Sequence, residues 1–143
     1  MSSVLQDLTA QRDAVLAEHI AAECAHDIER ALKTFRTPHY YVFPLSLDAP
    51  GAEAVSGLLA AVFAAFPDFE FLPVRTHHAV DSVILEGRII GTHLGEWNGI
   101  PGSGNRVDVP ACGIYYFDGA ELTSESVYFD QATMLAQING GAG

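Results

Sequence analysis

The stretch Leu122–Asp130, LTSESVYFD, decides how the second half of the chain is read. It alternates as a strand does. Leu122, Ser124, Ser126, Tyr128 and Asp130 fall on one face, and Thr123, Glu125, Val127 and Phe129 on the other. A turn at Asp118-Gly119 precedes it, and a short helical run follows. Glu121, Thr123 and Glu125 mark the odd-numbered face as the solvent or subunit-contact side. The even-numbered face, with Ser124, Ser126, Tyr128 and Asp130, is therefore expected to point inward. A carboxylate at the end of such a strand, two residues from a tyrosine, is a candidate acid/base group.

Working outward, the strands before it read as Phe69–Val80 (interrupted near Pro73), Val83–Trp97 with Gly87, Gly91 and Gly95, and Arg106–Phe117. The repeated glycines permit curvature or close approach by another element. Asn98–Asn105, NGIPGSGN, is a loop. The first half is helical. Residues 4–24 lack glycine and proline and carry an imperfect apolar stripe of Val4, Leu8, Val15, Leu16 and Ile20. Asp27 caps a second helix that Thr37-Pro38 ends. His39–Pro44 is a short aromatic strand, Asp48–Gly51 a turn, and residues 52–66 a third helix. Thr133–Ile138 closes the chain as a helix, before a glycine-rich tail. Helices followed by strands predict a single α+β domain over residues 1–143. The architecture expected is a cone-shaped barrel, with a strongly curved, mostly antiparallel sheet wrapped around N-terminal helices.

Composition narrows the function classes. Eighteen acidic against seven basic residues give a formal charge of -11. That argues against nucleic acid and against an anionic membrane surface and says little about a neutral ligand. The hydrophobic small molecule expected as partner rests on the inward polar face of the last strand and on the resemblance given below. The N-terminus lacks a basic n-region and an apolar h-region, so a cytoplasmic protein is expected. Cys24 and Cys112 read as buried thiols. His77-His78 point to opposite faces of a strand, and no Cys/His cluster has metal spacing, so no metal is expected. No phosphate loop and no G-x-S-x-G elbow occurs, and no cofactor is called for.

What remains is polar side chains on strands. Asp130 and His93 are the candidate catalytic residues, and Tyr128, Tyr41, His39, Tyr116, Ser126 and Glu96 the candidate substrate-binding ones. An aspartate in an apolar cavity has its charged form disfavoured and moves into the range useful for proton transfer. A nearby tyrosine or histidine would steady an enolate oxygen. Asp130 keeps a second reading, as the cap of the terminal helix.

The order of motifs resembles the SnoaL-like polyketide cyclases, within the nuclear-transport-factor-2-like superfamily. The resemblance is carried by His26-Asp27, Phe66-Pro67-Asp68-Phe69, Gly91-Thr92-His93-Leu94-Gly95-Glu96, Gly99-Ile100-Pro101, Phe117-Asp118-Gly119, Tyr128-Phe129-Asp130 and Leu135-x-Gln137-Ile138. It implies a cone-shaped α+β barrel, a homodimer formed through the sheet, and intramolecular aldol condensation or a related isomerisation without metal or organic cofactor. In that family an end-of-strand aspartate, here matched by Asp130, serves as acid/base. The alternative is a non-catalytic small-molecule-binding or dimerisation domain of the same fold.

Overall fold

The computed structural model describes residues 3–141; the ends of the chain, 1–2 and 142–143, lie outside it. Helix α1 (Ser3–Cys24) is followed by the short α2 (Ile28–Leu32). Asp27 caps α2 by accepting from the Arg30 backbone N–H, as its position before the apolar repeat predicts. Then come β1 (His39–Val42), a single 3-10 turn at Phe43–Leu45, β2 (Leu47–Pro50) and α3 (Gly51–Ala65). Strands β3 (Glu70–His78), β4 (Ser82–Thr92), β5 (Arg106–Asp118) and β6 (Glu121–Phe129) lead into α4 (Gln131–Ile138). No helix among the described residues is long and apolar enough to cross a membrane.

All six strands form one sheet in the order β2-β1-β6-β5-β4-β3. Every pairing is antiparallel except β1 with β6, which is parallel. The α+β cone is thus the observed architecture. Two local expectations change. Residues 48–50 pair with β1 as an edge strand rather than forming only a turn, because Pro50 sits where no ladder donor is required. The long strand ends at Thr92, five residues short of Trp97, and His93–Gly95 leave the sheet to bond the end of α3 and the following loop.

Curvature comes from two bulges. In β3 the register slips between Pro73 and Arg75, leaving Val74 unmatched beside the expected interruption. Gly87 lies opposite, and a side chain there would strike the Leu72 carbonyl. In β6 the register slips at Thr123: Phe117 pairs with Leu122, and Tyr116 with Ser124. An extra residue in one strand reverses the alternation beyond it. Leu122 faces inward before the bulge; Glu125, Val127 and Phe129 face inward after it. From Ser124 onward the even-numbered residues of β6 therefore face outward, contrary to the sequence reading, and Glu121 and Glu125 lie on opposite sides.

The core fills the space between the sheet and the helices. One part gathers Leu16, Phe35, Tyr40, Val55, Leu59, Phe71, Val83 and Leu85 with the inward residues of β5 and β6. The other packs Phe66, Trp97, Val107 and Val109 against Met134 and Ile138 of α4. On α1 the buried face is Arg12, Leu16, His19, Ala22 and Glu23, which share one stripe by helical spacing although three of them are polar. The Arg12 guanidinium donates to Gly119 O at 2.8 Å and to Val80 O at 2.9 Å, and stacks over Phe117. It thereby fastens α1 to two hairpin turns at once. Replacing Arg12 by methionine keeps the packing but strands those carbonyls. The expected loss is about 3 kcal/mol of unfolding free energy, measured by urea titration.

Candidate active site

Three polar side chains meet at the inner end of the core. His19 of α1 is fully buried, and its Nε2 lies 2.9 Å from Glu125 Oε1 of β6 and 3.2 Å from Glu23 Oε1, one turn along α1. The Tyr40 hydroxyl sits 3.1 Å from the same Nε2 and donates to Glu23 Oε2 at 3.0 Å. The other ring nitrogen, Nδ1, contacts Thr34 Oγ1 at 2.8 Å. Phe35 and Tyr115 pack edge-on against the imidazole. Helical spacing explains why His19 and Glu23 share a face, and the Thr123 bulge explains why Glu125 meets them.

This cluster forms one end of an apolar cavity of about 90 Å³. Glu23, Tyr40, Tyr115 and Glu125 supply the polar end, and Leu59, Val62, Phe66, Phe71, Ile89 and Val127 are among the apolar wall. His19 stands behind the wall rather than in it. A second, outer groove of about 640 Å³ shares Leu45, Leu58 and Trp97 with the cavity, so these three residues form the partition between the two spaces. The inner cavity is smaller than the few hundred Å³ usual for small-molecule sites; a larger ligand would extend past that partition. Gly113 shapes the polar end. A Cβ there would come within 2.7 Å of Tyr115 Cε2, so glycine is what lets the phenol fold back over the strand.

The electrostatics follow from burial and crowding. Desolvation opposes a charge on His19, but Glu23 and Glu125 outweigh it and push the imidazole up to about 10. Burial, then the charge of Glu23, pushes Glu125 up to about 7 against the pull of His19 and Tyr40. Burial and the same carboxylates raise both Tyr40 and Tyr115 well above the ordinary phenol value. A ring nitrogen of His19 and one carboxylate oxygen each of Glu23 and Glu125 all lie within 4.8 Å of one another, as the hydrogen bonds between them require.

The residues singled out from the sequence lie elsewhere. Asp130 is exposed at the start of α4, where it accepts from the Thr133 backbone N–H at 3.0 Å and from Thr133 Oγ1 at 2.7 Å. Those bonds hold its carboxyl below the usual aspartate range, away from neutral pH. Tyr128 stacks on Phe43 at 4.3 Å, with Tyr41 edge-on to the same ring, and Ser126 pairs with Tyr41 in register. These three, with Tyr116, share the outer face of the sheet, away from the cavity. His39 bonds Asp48 at 2.6 Å on the edge pair β1–β2. Glu96 lines the outer groove. His93 is fully buried against Phe66 but lies outside the cavity lining. Its Nδ1 accepts from the Ser103 N–H, which places the proton on Nε2, a buried atom without a hydrogen-bond partner among the described residues. The sequence did carry a sign of the missed residues: the gaps in the α1 stripe fall at Arg12, His19 and Glu23, in phase with Leu16.

The sequence profile of the SnoaL-like polyketide cyclase family matches residues 7–138. The chain belongs to this family. Among solved structures it is similar to AclR of Streptomyces galilaeus, provisionally a hydroxylase (22% identity over 92% of this chain and 82% of that one, TM-score 0.77). It is also similar to a provisional SnoaL-like polyketide cyclase of Shewanella denitrificans (20% identity, 90% and 97% covered, TM-score 0.79). A third is a Catenulispora acidiphila protein of ketosteroid isomerase-like fold, solved with trimethylamine (21% identity, 87% and 92% covered, TM-score 0.76). At these identities the likeness establishes the fold. No curated protein matches the chain significantly.

Both carboxylate oxygens of Asp130 are engaged in the cap, and the two roles separate by substitution. Asp130→Ala lowers the melting temperature, whereas Asp130→Ser, which keeps a capping oxygen, restores most of it. Neither change alters ligand affinity at the cavity. Calorimetry and ligand titration on the two variants check this.

Proposed function

We propose that this SnoaL-like protein performs acid/base chemistry on a small, uncharged, hydrophobic carbonyl compound, with Glu125 as the proton carrier. The observation that supports this reading is a carboxyl group poised near neutrality at the inner end of an otherwise apolar cavity, ringed by two phenols and a second carboxylate. A carbonyl compound enters with its apolar body against Leu59, Val62, Phe66 and Ile89. The Glu125 carboxylate takes the proton on the carbon next to the carbonyl and becomes a carboxylic acid. Negative charge moves to the carbonyl oxygen, where the Tyr115 hydroxyl donates a hydrogen bond. The enolate carbon then attacks a second carbonyl of the same molecule, and the proton on Glu125 passes to the new alkoxide. In the isomerisation variant the proton returns to a different carbon. Either way Glu125 ends as it began.

Exchange of solvent deuterium into the α-carbon of small ketones and 1,3-diketones, followed by NMR, tests this without knowledge of the natural substrate. Glu125→Gln is expected to slow exchange by about 10²–10⁴-fold. Because the carboxylate is the active form, exchange rises with pH through an acid limb near 7, and that limb disappears in the variant. Exchange that is unchanged in Glu125→Gln removes the residue from the mechanism. Ligand binding without any exchange in the native protein marks a binding domain instead.

Charge selects the ligand. The cavity lining contains Glu23 and Glu125 and no lysine or arginine, and the outer groove contains Asp48 and Glu96 and again neither. An anion would enter a low-dielectric space with no cation in its lining, because the His19 imidazole lies behind the wall and is already paired with two carboxylates. The single tryptophan of the chain, Trp97, borders both spaces and reports occupancy by fluorescence. Methyl benzoate is expected to quench it at concentrations at least about 10-fold below those that benzoate requires, a difference of about 1.4 kcal/mol.

A further inference from the structure

The reading of Glu125 leaves open what sets its proton count, and the bonds around His19 answer that. Thr34 lies just beyond α2, and its hydroxyl donates to Ala31 O at 2.6 Å. A hydroxyl has one hydrogen, so toward His19 Nδ1, at 2.8 Å, the Thr34 oxygen acts as an acceptor. Nδ1 therefore carries a proton. On the other side of the ring, Nε2 faces Glu125 Oε1 at 2.9 Å and Glu23 Oε1 at 3.2 Å; each accepts as a carboxylate oxygen, and Glu125 Oε1 accepts also when the proton of that carboxyl sits on Oε2. The Tyr40 hydroxyl, also beside Nε2, has committed its hydrogen to Glu23 Oε2. Nε2 has only acceptors in front of it and carries a proton as well. The groups that face the imidazole are thus Thr34 and Phe35 from the segment after α2, Glu23 from α1, Tyr40 from β1, Tyr115 from β5 and Glu125 from β6. None of them is a second cation.

We propose that Thr34 and His19 are a positioning pair: Thr34 locks His19 as an imidazolium behind the cavity wall, so that Glu23 and Glu125 hold a single exchangeable proton between them. One fixed positive charge balances one carboxylate. The second carboxyl, buried in the same apolar surroundings, holds the exchangeable proton below about pH 7 and gives it up above that, which leaves the carboxylate that takes the substrate proton. Tyr40 gives its hydrogen to Glu23 Oε2, and the Glu125 carboxyl, pushed up to about 7, carries the exchangeable proton. His19 does not line the cavity and touches no ligand; it acts through the two carboxylates.

The proposal rests on Glu125 as the proton carrier but is tested without turnover. In the ¹⁵N-histidine-labelled native protein, the two-bond proton–nitrogen spectrum of His19 is expected to show both ring nitrogens protonated at pH about 8, well above the ordinary histidine value of about 6.5. A neutral His19 at that pH, including one whose Nε2 is taken by a copurifying metal ion, overturns the proposal. Thr34→Val removes the acceptor and is expected to lower the His19 titration by about one unit. Thr34→Ser, which keeps the oxygen, leaves it in place. A His19 titration that does not move in Thr34→Val also overturns it. For the third readout, His19→Gln removes the fixed charge, and the ¹³C-carboxyl titration of Glu125 is expected to rise above its native position. An unmoved Glu125 titration shows that His19 does not set the proton count and overturns the proposal. If deuterium exchange is absent while these titrations behave as expected, the catalytic reading fails and the charge assignment stands.

Discussion

A buried imidazole held between two carboxylates is the constraint on which the rest of this structure depends. Charges are expensive in an apolar interior unless each is met by a partner of opposite sign and by further hydrogen bonds. His19 meets Glu23 within its own helix and Glu125 across the domain, 106 residues away in sequence. The bond therefore fixes the rotation of α1 about its axis and its depth against β6. Once α1 is set, Arg12, two turns earlier on the same face, reaches the two hairpin turns. The polar contacts of α1 thus run along one line, from the turns at one end of the sheet to the inner end of the cavity.

The same constraint shapes the site. A cavity walled by leucine, valine and phenylalanine gives little orientation to a ligand, because apolar contact is non-directional. The polar end supplies direction. Tyr40, Tyr115 and the two glutamates occupy one end of the cavity, so a ligand with one polar group has one favourable way round. Gly113 contributes by having no side chain. The Tyr115 phenol folds into the space that a Cβ would occupy, and this places a hydroxyl at the polar end instead of in the core.

Much of the fold was legible in the sequence, and the buried polar cluster was not. Helical composition over residues 4–24 and 52–66, the turn at Asp118-Gly119 and the alternating runs between them locate most elements to within a few residues. The edge strand at Leu47–Pro50 was obscured by proline and glycine, which read equally as a turn. For the site, two habits of reading failed for physical reasons. Polar residues between the apolar positions of residues 4–24 read only as imperfections of a stripe, but His19 and Glu23 satisfy each other and sit inside. Strict alternation was carried through β6, but one unmatched residue at Thr123 exchanged the two faces. Nothing in the local composition of LTSESVYFD marks that residue, since the bulge is set by register against β5. Asp130 was legible in one of its two readings, because a carboxylate just before a helical run is a cap by position alone.

The Thr123 bulge also has a meaning for how such a fold changes over time. It decides which half of a strand's side chains belongs to the interior, and it does so with one residue. Were Thr123 drawn into the ladder instead, the register against β5 would shift by one, turning Ser124, Ser126 and Tyr128 toward the cavity and sending Glu125 outside. The lining of the cavity is thus encoded in strand length as well as in side-chain identity. Relatives that share this architecture but differ by a single insertion in their last strand can present unrelated chemistry to the same space, and an aligned residue is no guarantee of a shared role.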